Sequence, residues 1–140
     1  MEDGTTYIDQ EAVNHLQISP QYLEEEKLRQ IEEIKRRKSL FLAGREDDFN
    51  DKTVILVDDG AATGATIIVA ARSIRKRFKL KCVIIALPVA PKDIVKLLKS
   101  EADIVEVIIS PSKHFHAVGQ YYQEFNPVEV QRVRSILQSW

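Results

Sequence analysis

From Thr53 to Ile109 the apolar positions fall into short, nearly unbroken runs, separated by longer stretches in which they recur at helical spacing. Thr53–Asp58, Lys81–Leu87 and Ile104–Ile109 have the length and β-branched content of strands, while Gly64–Phe78 and Pro91–Lys99 read as helices. The order is strand, helix, strand, helix, strand. Runs as apolar as Val54–Val57 and Val83–Leu87 predict strands buried on both faces, which belong to a parallel sheet covered by helices. The predicted class is therefore α/β, with a doubly wound parallel sheet and the C-terminal strand ends gathered on one rim. In the first of these helices Ile67, Ala71, Ile74 and Phe78 form the core stripe. Arg75, Lys76, Arg77 and Lys79 crowd its far end, where they complement the helix dipole.

Upstream the pattern is helical over one long stretch, Pro20–Ala43. Ser19 reads as its N-cap, Pro20 as its first residue and Gly44 as its stop. Glu24, Glu25 and Glu26 lead this helix and Lys35, Arg36, Arg37 and Lys38 close it; Glu32–Arg36 and Glu33–Arg37 have the favourable i,i+4 order. Leu28, Ile31, Ile34 and Phe41 are its expected buried positions, and the charge run reads as a self-paired, solvated face. Met1–Ile18 is weakly patterned, with a short strand expected at Thr5–Ile8 and a turn of helix at Glu11–Leu16. The last helix is expected to begin with Asn126 as cap, Pro127 first and Glu129 closing a capping box, with Val130, Val133 and Leu137 inward.

A length of 140 residues with 44% hydrophobic content suits one domain, 1–140. Twenty basic residues against 21 acidic ones leave a net charge of -1, which argues against nucleic acid or an anionic membrane as partner and makes any anion site local. Cys82 is the single cysteine, so an internal disulfide is excluded; with no long apolar span or signal-like segment, a reducing cytoplasm is the expected compartment.

The chemistry concentrates where the first strand ends. Asp58 and Asp59 are adjacent carboxylates suited to accept hydrogen bonds from vicinal sugar hydroxyls. Gly60, Ala61, Ala62, Thr63, Gly64, Ala65 and Thr66 form a small, hydroxyl-bearing loop that opens a helix, whose free N–H groups attract phosphate. Ligands of open α/β sheets bind outside the carboxyl ends of strands, which is where this segment falls. The two acids also suit Mg²⁺, directly or through its waters, where a pyrophosphate shares the coordination.

Val54–Thr66 resembles the phosphoribosyl-pyrophosphate signature of type I phosphoribosyltransferases: a hydrophobic strand, two acids, then a Gly/Ala/Thr phosphate loop. The likeness continues through Glu2-Asp3-Gly4, Leu40–Arg45, Ala86–Pro91 and Phe115–Phe125, which are similar to a bacterial and archaeal group of predicted phosphoribosyltransferases. It implies a Rossmann-like sheet, with Asp58 and Asp59 as the catalytic acids engaging the ribose hydroxyls, Mg²⁺ beside them, and Ala62–Thr66 around the 5′-phosphate. It implies transfer of the ribose 5-phosphate unit from phosphoribosyl pyrophosphate to a nucleobase or similar nitrogen nucleophile. Phe115 in Ser110–His116 reads either as a ring that stacks on that acceptor or as an anchor of its loop, and Lys113 is placed to meet an anionic substituent.

The family pattern also has a further strand and a pyrophosphate loop with an Arg-Gly-Gly-like element before the long helix, and neither is found in this sequence. The expectation is an N-terminally incomplete form of the fold, with the open sheet edge covered in a homodimer. A non-catalytic module that senses a nucleotide or phosphoribosyl pyrophosphate is the principal alternative. A receiver-like signalling domain also ends an apolar strand in paired acids, but places them at its start and needs a further acceptor Asp that Asp103 does not supply. His114 and His116 lack further ligands and read as surface residues. Tyr121, Tyr122 and Phe125 read as packing residues.

Overall fold

The computed structural model describes residues 1, 3–42 and 48–139. The expected helix end at Ala43 and the stop at Gly44 lie outside the described residues. Contacts gather the chain into two compact units. One comprises Met1–Gly4, Ile8–Asp47 and Asn126–Trp140, and the other Thr5–Tyr7 and Asp48–Phe125.

In the first unit α1 (Gln10–His15) is capped by Asp9, whose Oδ1 accepts the Ala12 N–H at 2.9 Å. The second helix, α2 (Pro20–Leu42), starts where Ser19 and Pro20 place it: Ser19 Oγ accepts the Tyr22 N–H at 3.2 Å. Leu28 is 63% exposed, contrary to expectation; the half-buried stripe runs through Leu23, Lys27, Ile31, Ile34, Lys38 and Phe41, and Leu28 falls outside it. Glu33 pairs with both Arg36 and Arg37, at 2.7 and 2.8 Å, so the i,i+3 partner displaces the expected Glu32–Arg36 pair. The last helix, α5 (Val130–Gln138), packs on α2 and begins three residues later than Pro127 suggested. Glu129 is its extended N-cap and makes no side-chain cap bond, so the capping box does not form. Asn126 precedes a proline, which disfavours helical backbone there. Val130 and Leu137 remain exposed and Val133 is half-buried.

The second unit is the α/β body. Strands β1 (Thr53–Val57), β2 (Cys82–Val89) and β3 (Ile104–Ile109) form a parallel sheet in the order β1-β2-β3, joined by α3 (Ala65–Arg77) and α4 (Lys92–Leu98). Leu56 pairs with Ile85, and Leu87 with Val107, so these side chains share a face. Ile67 and Ile68 of α3 and Leu98 of α4 pack on that face with Ile85 and Leu87, and Leu56, Ile94, Val105 and Val107 close around them. The other face of the sheet carries Ile55, Val57 and Ile108, of which Ile108 is 85% exposed. Apolar runs predicted burial on both faces; α3 and α4 cover one. Thr5–Ile8 forms no strand, against expectation. Tyr7 packs on the core, with the Arg72 guanidinium 5.6 Å from its ring centroid.

Backbone bonds knit the loops along the C-terminal rim: Ala61 N–H donates to Val89 C=O, Ala90 N–H to Ile109 C=O, and Lys92 N–H to Pro111 C=O. These ties fix the rim on which the acidic turn stands. Among the described residues no helix is long and apolar enough to cross a membrane.

Candidate functional site

The β1 backbone ends at Val57 and the chain turns at once through Asp58 and Asp59. Asp58 Oδ1 accepts the Asp59 N–H at 3.0 Å, a local bond characteristic of an Asp that ends a strand. Gly60 follows under a tight ceiling. A Cβ there would lie 2.8 Å from Val118 Cγ1 and 2.9 Å from Val89 Cγ1, so only glycine lets the two valines close over the turn. Ala61 is buried and tied to β2, while Ala62 and Thr63 bulge out exposed. Gly64 then caps α3 in the left-handed region, φ 75°, which L-residues enter at a cost.

The start of α3 leaves backbone donors without helical partners. Ile68 N–H is the donor to the Gly64 carbonyl at 2.9 Å, so the N–H groups of residues 65–67 have no acceptor further back in the helix. Thr63 Oγ1 partly serves Ala65 N–H, at a long 3.4 Å. The first turn holds no acidic residue and the last holds Arg75, Lys76 and Arg77, so no carboxylate of the helix itself cancels the positive end of its dipole.

The acids and the helix start enclose one cavity of about 280 Å³, lined by Asp58 through Ile67 and by Val118. Every residue from Asp58 to Thr66 that the sequence singles out is in that lining. Ile67 and Val118 are additions that sequence reasoning missed. Val118 belongs to a 3-10 turn, Val118–Tyr121, and nothing in the local sequence links it to a glycine before α3. Phe115 is not part of the lining: it is half-buried and stacks on Tyr121, centroids 5.7 Å apart and planes 20° apart. Lys113, His114 and His116 are exposed on the same rim loop, and the Gln120 side chain bridges this loop by accepting from His116 N–H and donating to His114 C=O, both at 3.1 Å. Tyr122, expected only to pack, donates from its hydroxyl to the Asp59 carbonyl at 2.6 Å, a long-range tie into the acidic turn.

Among the described residues no cluster of three or more His, Cys, Asp or Glu side chains forms a protein-only metal cage. Asp58 and Asp59, adjacent in the cavity lining, fit a different donor set, in which Mg²⁺ is held jointly by one or two carboxylates, waters and substrate phosphates. The arrangement can thus bind a sugar diol at one end and a phosphate at the other.

A family model described as the phosphoribosyl transferase domain matches residues 10–125. Two curated relatives from Mycobacterium tuberculosis, strains CDC 1551 / Oshkosh and ATCC 25618 / H37Rv, are provisionally named phosphoribosyl transferases and are 31% identical over 137 residues. That alignment takes in 97% of this chain and 30% of theirs, so the chain spans a minor part of the length of the relatives it matches. The crystal structure of TT1426 from Thermus thermophilus is similar at a TM-score of 0.73 and 35% identity, over 89% of this chain and 60% of that one.

Proposed function

The chain belongs to the type I phosphoribosyl transferase family, and from that premise we propose that its acidic turn and phosphate loop bind phosphoribosyl pyrophosphate for transfer of the ribose 5-phosphate unit. The observation that carries this reading is that one cavity is lined both by Asp58 and Asp59 and by the helix start at Thr63–Thr66. The two carboxylates accept the ribose hydroxyls, while the free N–H groups of α3 and the hydroxyls of Thr63 and Thr66 hold the 5′-phosphate.

In the transfer the bond from the anomeric carbon to the pyrophosphate oxygen breaks and a bond to an acceptor nitrogen forms. Pyrophosphate leaves with the bonding electron pair, and the nitrogen gives up a proton. As the sugar gains oxocarbenium character, the Asp58 and Asp59 carboxylates stabilise the developing positive charge. Asp58 and Asp59 would hold Mg²⁺ jointly with the diphosphate, and the ion would supply charge neutralisation for the leaving pyrophosphate. The rigid α3 start keeps the 5′ end fixed while the anomeric carbon moves toward the nucleophile.

The acceptor is a nucleobase or related nitrogen nucleophile entering from the loop that carries Phe115, whose pairing with Tyr121 leaves an aromatic surface on that rim. The reading includes a homodimer, supported by the open edges of β1 and β3 and by the exposed Ile55, Val57 and Ile108. Sedimentation at micromolar concentration tests that part, a monomer contradicting it. Pyrophosphate release from phosphoribosyl pyrophosphate across a panel of nucleobases tests the reaction: release that depends on one base is expected, and binding without release contradicts transfer by this polypeptide.

A further inference from the structure

The Asp59 residue is held by its backbone from both sides. Its N–H donates to Asp58 Oδ1, and its carbonyl accepts from the Tyr122 hydroxyl at 2.6 Å across 63 positions of sequence. We propose that Tyr122 is a positioning residue for the ribose end of the site, its phenol fixing the peptide after Asp59 so that the neighbouring carboxylates present a set spacing to a sugar diol. The inference rests on the phosphoribosyl reading of the cavity.

Tyr122 can do this because it is itself held. Its ring packs on Phe125, centroids 5.0 Å apart, and Phe125 is braced by Gly119, where a Cβ would come within 2.8 Å of Phe125 Cδ1. The 3-10 turn before it is fixed by the Gln120 bridge and by the Phe115–Tyr121 stack, and it delivers Val118 onto Gly60. Two contacts from this strap, one polar at Asp59 and one apolar at Gly60, therefore meet consecutive residues of the acidic turn. Neither touches the N–H groups at the start of α3. A diol gains from carboxylates already held at the right spacing, because the ordering cost is then met during folding and not on binding. The 5′-phosphate, held by α3, does not depend on the strap.

Tyr122→Phe keeps the ring and its packing on Phe125 and removes only the hydroxyl. Calorimetric titration of wild type and variant with ribose 5-phosphate, and phosphorus NMR titration with inorganic phosphate, separate the two ends of the site. The expected result is a loss of about threefold to tenfold in ribose 5-phosphate affinity, the worth of one hydrogen bond, with phosphate affinity unchanged. Without any ligand, amide exchange at Ala61, whose N–H donates to Val89 C=O at 3.0 Å, is expected to quicken in the variant. Equal ribose 5-phosphate affinity in the two proteins overturns the inference, as does a parallel fall in both affinities, which would mark a general structural role. Unaltered exchange at Ala61 also overturns it. Asp58→Asn with Asp59→Asn is the control for the reading beneath: if the wild type and this double variant treat ribose 5-phosphate alike, the reading fails and the inference with it. If the double variant loses the sugar phosphate while Tyr122→Phe retains it in full, only the inference fails.

Discussion

Gly64 joins the acidic turn to the start of α3 through a left-handed backbone, with a would-be Cβ 3.2 Å from Ile94 Cγ2. Gly64→Ala is expected to destabilise by roughly 1–3 kcal/mol, read from urea unfolding. It should also weaken phosphate binding, because relief of the strain tilts the first turn of α3. Gly60→Ala fails for a different reason, steric conflict with Val118 and Val89. Trimming the ceiling with Val118→Ala in the same chain should recover part of the lost stability, whereas strictly additive losses in the double variant would show that the valine is not the obstacle. At this scale the sequence is informative wherever chemistry is local: adjacent acids, a small-residue loop and a helix start are visible as consecutive letters. Val118 and Tyr122 are not legible there, because their roles arise when the rim loop folds back over the turn. Phe115 stands out in sequence as an aromatic near the rim, yet its ring lies against Tyr121, outside the cavity lining.

The elements that carry the site are clamped at the end remote from it. Arg72 and Arg75 of α3 reach Glu101 and Asp103 in the segment before β3; Asp103 Oδ2 accepts from Val83 N–H and from Arg75, each at 2.7 Å. The Val83 N–H first, and then Arg75, hold the Asp103 carboxyl below its ordinary value of 3.8. A depressed carboxyl adds stability that is present above the ordinary value and is lost as pH falls through the folded one. Asp103→Asn should therefore lower the urea midpoint at pH 7, and the gap from wild type should narrow once pH drops below 3.8; a gap that stays constant with pH would contradict the clamp. Glu33 follows the same sign in α2: Arg36 and then Arg37 bring its carboxyl down to about 2 from 4.5, so its contribution fades as pH falls from 4.5 towards about 2. Strand and helix order is readable from periodicity because each element buries one face of a regular pattern. The start of α5 is not, since Asn126-Pro127 imitates a cap, yet Glu129 stays extended and the helix starts after it. Nor is the Asp103 clamp, whose partners lie 20 and 28 residues away.

Taken as a whole, the α/β body is a small core under a rigid rim. Leu98 is fully buried among Ile67, Ile68, Ile85 and Leu87, and Leu98→Ala should cost about 2–5 kcal/mol with the fold still cooperative. A loss under about 1 kcal/mol would mean the helix-covered face collapses onto the gap. The class of fold and the position of the site on the rim both follow from the sequence, because parallel strands place their C-terminal ends together. The bare sheet face does not, since an apolar run predicts burial without saying what provides it.

The account stands on the acids and the α3 start acting as one grip for phosphoribosyl pyrophosphate. Thermal unfolding with and without that ligand and Mg²⁺, for wild type and for Asp58→Asn with Asp59→Asn, tests it most directly. Ligand should raise the wild-type midpoint by several degrees and leave the double variant, still cooperatively folded, unmoved; an equal rise in both proteins would show that these acids do not make the site.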